Sequence, residues 1–437
     1  MADITILNFD EDGVLVGEPP VVGREITDVV LIAHGWNEGP DIARGHYQDL
    51  VNPLEVILSQ DKTQWQGHTV AYFGVIWPSS KYADDLTVIK MRADAGDPPP
   101  HAGVVAGLSG APPLNDADLQ ARARDVAQFL GINPDLLTTQ ALQAAGDNGA
   151  RDTLVSTLQK ATSDRRELLA DEQTKAEYDA AFSETGSNLF SAIGGELQQL
   201  FTNVADVVAD NPLIGWLKQL RGDANAKIAN ILNLFAYNEM KIRAGIVGSG
   251  LAKNVLNPVL ADRKRIHLVG HSFGGRLMTA ATAAAEGGKI SNLTLLEGAF
   301  SHNALSVDRV GPINGAFRSV IDNAKVGGRI VASHSDHDAA VWIAYPLASR
   351  VFRDSYSLSL AASPLGQVLG GPTDRYGAIG ANGPQNLVGV NRLIFPGTSL
   401  PNLKSGVHAL DCTSFVASHT DVWKEGSAYI VATGLLH

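Results

Sequence analysis

Five consecutive residues, Gly270-His271-Ser272-Phe273-Gly274, carry the pattern G-x-S-x-G. An apolar run at 266–269 precedes them. An alanine-rich helical pattern at 276–286 follows and is closed by Gly287-Gly288. Strand, sharp turn and helix together form the context in which a serine hydroxyl is lifted clear of a sheet in a strained backbone conformation. At Gly270 and Gly274 a Cβ would collide with the neighbouring strand or helix. The chemistry implied is nucleophilic attack by Ser272. A serine hydroxyl is a weak nucleophile at neutral pH, so a base is required.

Around such a turn the partners follow the serine in the order acid, then histidine. His419, in Val416-Ala417-Ser418-His419-Thr420-Asp421-Val422, lies just before a final helical pattern and is the expected base. His408 is the alternative, in a stretch that reads as irregular. The acid should follow a strand beyond the serine. The run 329–333 is that strand and leads into His334-Ser335-Asp336-His337-Asp338. Asp338 is favoured because a short apolar run follows it. Asp336 and Glu297 stay open as alternatives, since the acid need only accept the histidine Nδ1–H and stabilise the imidazolium.

Acyl transfer also needs donors for a developing oxyanion. One is the backbone N–H of Phe273. The other is assigned to Trp36, because the buried run 29–33 leads directly into His34-Gly35-Trp36 and glycine permits close backbone approach. Phe300, His302 and Trp77 follow strands at the same end and are expected near the substrate pocket. His334, His337 and Asp338 could suggest zinc, but no H-E-x-x-H pattern is present and the serine turn already accounts for the region, so neither metal nor organic cofactor is expected.

These residues need a scaffold. The runs 29–33, 69–76, 265–269, 293–296 and 329–333 read as buried strands separated by helical patterns, which predicts an α/β fold with a mostly parallel, doubly wound sheet covered by helices on both faces. Residues 4–9 and 14–16 flank Asp10-Glu11-Asp12-Gly13 and read as an edge hairpin. Residues 94–115, with Pro98-Pro99-Pro100 and Pro112-Pro113, read as a linker. After it Leu119, Ala123, Val126 and Leu130 share one helical face, 162–179 reads as a solvated helix, and an apolar stripe runs from Phe190 to Val208. The organisation is therefore a core of 1–92 and 228–437 with a helical cap or lid inserted at 93–227. The stripe is expected to pack inside the cap or core; its sharper reading is a lid that meets lipid.

With 437 residues, 45% of them hydrophobic, the chain exceeds what one such core needs, in keeping with an insertion. A net charge of −12 repels phosphate backbones, so no nucleic-acid partner is expected. The single cysteine, Cys412, allows no intrachain disulfide. The N-terminal residues lack the pattern of a signal peptide and no apolar stretch is long enough to span a membrane, so a cytoplasmic location is expected.

Taken as a set, these motifs resemble bacterial α/β-hydrolases of esterase or lipase type, in a group without a settled substrate. The resemblance is carried by Leu31-Ile32-Ala33-His34-Gly35-Trp36, Gly74-Val75-Ile76-Trp77-Pro78-Ser79, Glu239-Met240-Lys241-Ile242-Arg243-Ala244-Gly245, His267 through Arg276, Gly298-Ala299-Phe300-Ser301-His302, and His337-Asp338 with Ala344-Tyr345-Pro346. It covers roughly 25–92 and 228–437 and leaves the cap unmatched. It implies the α/β-hydrolase fold, a Ser272-Asp338-His419 triad with Asp338 as acid, and a small-molecule or lipid ester as substrate. Thioester or peptide cleavage, lipase action at a lipid surface, and a non-catalytic binding role on the same fold are the alternatives.

Overall fold

The computed structural model describes residues 3–36, 38–60, 65, 67–79, 115–163, 185–194, 224–307, 314–338, 340–346, 349, 370–374 and 376–436. A nine-stranded sheet runs through it in the order β2-β1-β4-β3-β5-β6-β7-β9-β8. The strands are β1 (Ile4–Phe9), β2 (Leu15–Val16), β3 (Asp28–Ala33), β4 (Val70–Ile76), β5 (Arg265–His271), β6 (Ile290–Leu296), β7 (Val326–His334), β8 (Asn391–Ile394) and β9 (Gly406–Asp411). Every pairing is parallel except β1 with β2. The expected α/β class, parallel sheet and edge hairpin are thus present. The hairpin turn closes on Asp10, whose Oδ1 accepts from the N–H groups of Asp12 and Val14, and Gly13 takes the left-handed conformation there (φ 73°).

The helices are α1 (Pro40–Gln60), α2 (Asp116–Leu130), α3 (Pro134–Gly146), α4 (Asn148–Ser163), α5 (Gly186–Gly194), α6 (Ala224–Leu251), α7 (Asn257–Ala261), α8 (Phe273–Ala284), α9 (Arg318–Asp322), α10 (Ile379–Asn382) and α11 (Glu425–Leu435). In β3, Val29, Leu31 and Ala33 face the layer containing α6 and α8, while Val30 and Ile32 face α1 and α11. Strand alternation thus splits one apolar run between two covered faces. Burying both faces is why β3 contains no exposed position.

A second apolar cluster joins α2, α3, α4 and α5 to the first half of α6 through Leu119, Val126, Leu137, Leu154, Leu189 and Phe235. Leu119, Ala123 and Val126 are buried as their spacing predicts. The second half of α6, from Met240 to Leu251, packs on the sheet instead. A boundary at 228 therefore falls inside one continuous helix. The expected linker, apart from its last residue, lies outside the described residues, as do nearly all of the solvated helix and the greater part of the 190–208 stripe.

One expectation about the C-terminal region needs correction. His408 is not in an irregular stretch but on β9, where Nε2 donates to the Lys404 carbonyl and Nδ1 meets the Asn391 amide. β8 and β9 carry no long apolar run, so strand periodicity does not reveal them. Among the described residues no helix is long and apolar enough to cross a membrane.

The end of the sheet opposite Ser272 is tied by a buried polar network. Asp28 accepts from Arg265 (2.7 Å), His267 Nε2 (2.9 Å), Thr27 Oγ1 (2.7 Å) and His68 (2.9 Å). His267 Nδ1 in turn meets Asn292, which also donates to the Gly434 carbonyl. Burial raises the Asp28 pKa, but the hydrogen bonds from His267, Thr27 and His68 more than reverse this and hold it below the usual carboxylate range. Burial lowers the pKa of His34, His267, His271, His302, His334 and His408, in His271 against the raising effect of Glu38. On acidification the unfolded chain therefore gains protons that these folded histidines bind less readily. Glu297, whose pKa is raised, acts in the opposite sense, but as a single group. The thermal midpoint should fall by a few degrees between pH 7.5 and pH 5.5. A midpoint that holds or rises over that interval contradicts this account.

Candidate active site

β3 and β5 are adjacent, with Ala33 opposite Gly270. Chain order reverses between them: β3 leads outward to β4, and β5 leads the other way to β6 and β7. The crevice beyond the carboxyl ends of such a pair is the usual ligand site of an open parallel sheet. Gly35 and Ser272 both emerge there.

Ser272 stands between β5 and α8 with φ 55° and ψ −123°, a conformation that a residue with a side chain seldom adopts. Its N–H donates to the Leu296 carbonyl, and its own carbonyl accepts from the N–H groups of Gly275 and Ala299, so the turn is fixed on both sides. A Cβ on Gly270 would lie 2.3 Å from the Gly274 oxygen. A Cβ on Gly274 would lie 2.4 Å from the Ala33 oxygen. Both glycines are thus required by the backbone packing of the turn.

The structure brings Ser272, His419 and Asp338 together. Ser272 Oγ is 2.8 Å from His419 Nε2, and His419 Nδ1 is 2.6 Å from Asp338 Oδ2. Asp338 is fully buried, and its Oδ1 accepts from the N–H groups of Ala340 and Val341. It therefore has one oxygen occupied by backbone and the other aimed at the imidazole. Nδ1 must donate to a carboxylate, which leaves Nε2 free to accept the serine proton. The neighbouring candidates are placed otherwise. Asp336 is exposed. Glu297 is buried, with Oε1 accepting from Ser333 Oγ and Oε2 without a hydrogen-bond partner. Burial, with the charge of Asp338 adding to it, raises its pKa well above the carboxylate range and keeps it neutral.

The loop after β3 is built from residues at a distance in sequence. His34 Nδ1 lies 2.9 Å from the Gly35 carbonyl, and Trp77 N–H approaches His34 Nε2. Burial lowers the His34 pKa, so the ring is neutral, donating through Nδ1 and accepting at Nε2. In a trans peptide the N–H points opposite the carbonyl, so the Gly35–Trp36 amide turns its N–H away from His34. A Cβ on Gly35 would stand 2.8 Å from Ser272 Cβ, which only glycine avoids. Phe273 is the first residue of α8, where an N–H has no intrahelical acceptor. Trp36 then meets Phe273 and Tyr237 edge to face and those two rings are tilted to each other, with ring centroids 5.3–6.3 Å apart, where Trp36 touches both the sheet core and the helical cluster.

The expected pocket residues have packing partners. Phe300 is fully buried and meets Phe317 edge to face. His302 Nδ1 is held 2.6 Å from Asn382 Oδ1. Trp77 stacks on His34 and donates its indole N–H to the His34 carbonyl, so it supports the loop. Sequence reasoning missed Tyr47, whose hydroxyl accepts from the His34 N–H and donates to the Val75 carbonyl. It also missed Glu38 and Trp423, which meet His271, and His46, which contacts both of them. Their signal is weak, because each is one polar or aromatic residue outside any motif. Among the described residues no group of three His, Cys, Asp or Glu is arranged to hold a metal ion.

Compared with models of known families, with curated proteins and with solved structures, the chain matches none. Its chemistry must be argued from its own geometry.

The turn offers a direct test. Gly274→Ala should lower the unfolding free energy by about 2–3 kcal/mol, because its Cβ meets backbone that cannot yield. Gly45→Ala, exposed within α1 with open space around it, should instead raise the unfolding free energy by about 0.5–1 kcal/mol. Equal urea midpoints for the two variants would refute the packing argument.

Proposed function

We propose that this protein is a serine hydrolase of the α/β-hydrolase fold that cleaves carboxylic esters through an acyl-enzyme. The observation that carries the reading is the continuous relay from Ser272 Oγ to His419 (2.8 Å) to buried Asp338 (2.6 Å) on a serine held at positive φ.

In this reading Ser272 Oγ attacks the ester carbonyl carbon while its proton passes to His419 Nε2. Asp338 accepts the Nδ1–H throughout, fixing the tautomer and stabilising the imidazolium. The carbonyl electron pair moves onto oxygen, where the N–H groups of Phe273 and Trp36 are the donors. As the tetrahedral centre collapses, the bond to the alcohol oxygen breaks and His419 returns its proton to that oxygen. Water then attacks the acyl-enzyme by the same route and releases the acid. The aromatic wall of Trp36, Phe273 and Tyr237 supports an apolar acyl group at this site.

Hydrolysis of a p-nitrophenyl ester series from acetate to palmitate tests it, with thioester and peptide substrates alongside. Wild type should turn over esters, and Ser272→Ala should lower kcat by about a thousand-fold or more. Equal rates for the two would remove Ser272 as nucleophile. Activity confined to thioesters or peptides would reassign the substrate.

A further inference from the structure

A second carboxylate and imidazole lie directly behind His419, and the relay described above does not use them. His271, between Gly270 and Ser272, is buried, and its Nε2 is 2.7 Å from the His419 carbonyl. A carbonyl only accepts, so Nε2 carries a proton. The other nitrogen, Nδ1, faces Glu38 Oε1 at 3.6 Å. A neutral ring with its proton on Nε2 would present a lone pair to that carboxylate, and two acceptors would oppose each other in a buried space. A second proton between Nδ1 and Oε1 removes the conflict.

We propose that Glu38 and His271 form an imidazolium–carboxylate pair that positions His419 through its backbone carbonyl. The proposal rests on the hydrolase reading for the role of His419. Both are positioning residues, since neither touches the reacting atoms.

The surroundings fit the assignment. Glu38 Oε2 is 3.0 Å from His46 Nδ1, and the Glu38 side chain is 1% exposed. The Glu38 carbonyl accepts from Ser79 Oγ. Trp423, four residues beyond His419, stacks on His46 and meets His271 edge to face, so it clamps the loop on the pair. The charged or titratable groups facing Glu38 are His271, His46, His34 and Tyr47; those facing His271 are Glu38, His419 and His34. The hydrogen bonds from His271 and His46 hold Glu38 well below the carboxylate range against the upward push of burial. Burial pushes the His271 pKa down, and the hydrogen bond and charge of Glu38 act against that push. The His271 and His419 rings are 4.7 Å apart.

Glu38→Gln and His271→Gln test this in the full chain. Each removes the pair's charges, and glutamine at 271 keeps a donor for the His419 carbonyl. Because the two act as one pair, kcat should fall by the same factor, about three-fold or more, in both variants and in the double variant, with KM within about two-fold of wild type. His271→Leu, which also removes the donor, should lose about ten-fold or more in kcat. Nitrogen-15 shifts of histidine side chains, read without substrate, give a second measure that does not depend on hydrolysis. Two protonated ring nitrogens on His271 in wild type and one in Glu38→Gln support the pair, and one in both overturns it. An active wild type whose kcat is unmoved in both glutamine variants overturns the positioning role of the pair alone. A wild type inactive on every substrate overturns the hydrolase reading and this role together, and the nitrogen-15 result then still reports whether the pair exists.

Discussion

The backbone of Ser272 is the constraint from which the rest of the site follows. A residue with a side chain, held at φ 55° between a strand and a helix, persists only where its surroundings over-determine it. Here they do so on every side. Leu296 accepts its N–H, Gly275 and Ala299 donate to its carbonyl, and Gly270, Gly274 and Gly35 leave room where any Cβ would strike backbone or the serine itself. The result is a hydroxyl standing above the sheet at the point where chain order reverses.

Holding the serine is not sufficient, because its partners arrive from separate strands. Asp338 comes from the loop after β7 and His419 from the loop after β9. β9 pairs directly with β7, and Ser335 Oγ donates to the Val416 carbonyl, which joins the two loops. The far end of the sheet is tied by Asp28, His267 and Asn292, which link β3, β5 and β6 to the segment closing α11. α6 joins the two apolar clusters as one continuous helix, with Tyr237 near its middle reaching Phe273 beside the serine. The helical insertion thus reaches the site through an aromatic contact.

Much of this was legible from residue types alone. The central strands announce themselves because both their faces are buried and nearly every position is apolar or β-branched. The serine turn is legible because two glycines are required by backbone contact. What was not legible is long-range and polar. β8 and β9 are short, and β8 is exposed along its length, so neither shows a periodicity. The choice among Asp336, Asp338 and Glu297 depended on burial and on which oxygen was already occupied, and neither follows from spacing. Phe300, His302 and Trp77 were read as pocket residues from their positions after strands, but a position after a strand does not say which way a side chain turns. Glu38 and His46 lie beyond the loop after β3 with no pattern to mark them; only the fold brings them behind His419.

The most direct test of the central claim is covalent labelling with a fluorophosphonate followed by peptide mapping, on wild type and His419→Ala together. A nucleophile activated as described gives one adduct, on the peptide bearing Ser272, and labelling falls sharply when its base is removed. An adduct on another residue, or no adduct on a folded wild type, would contradict it.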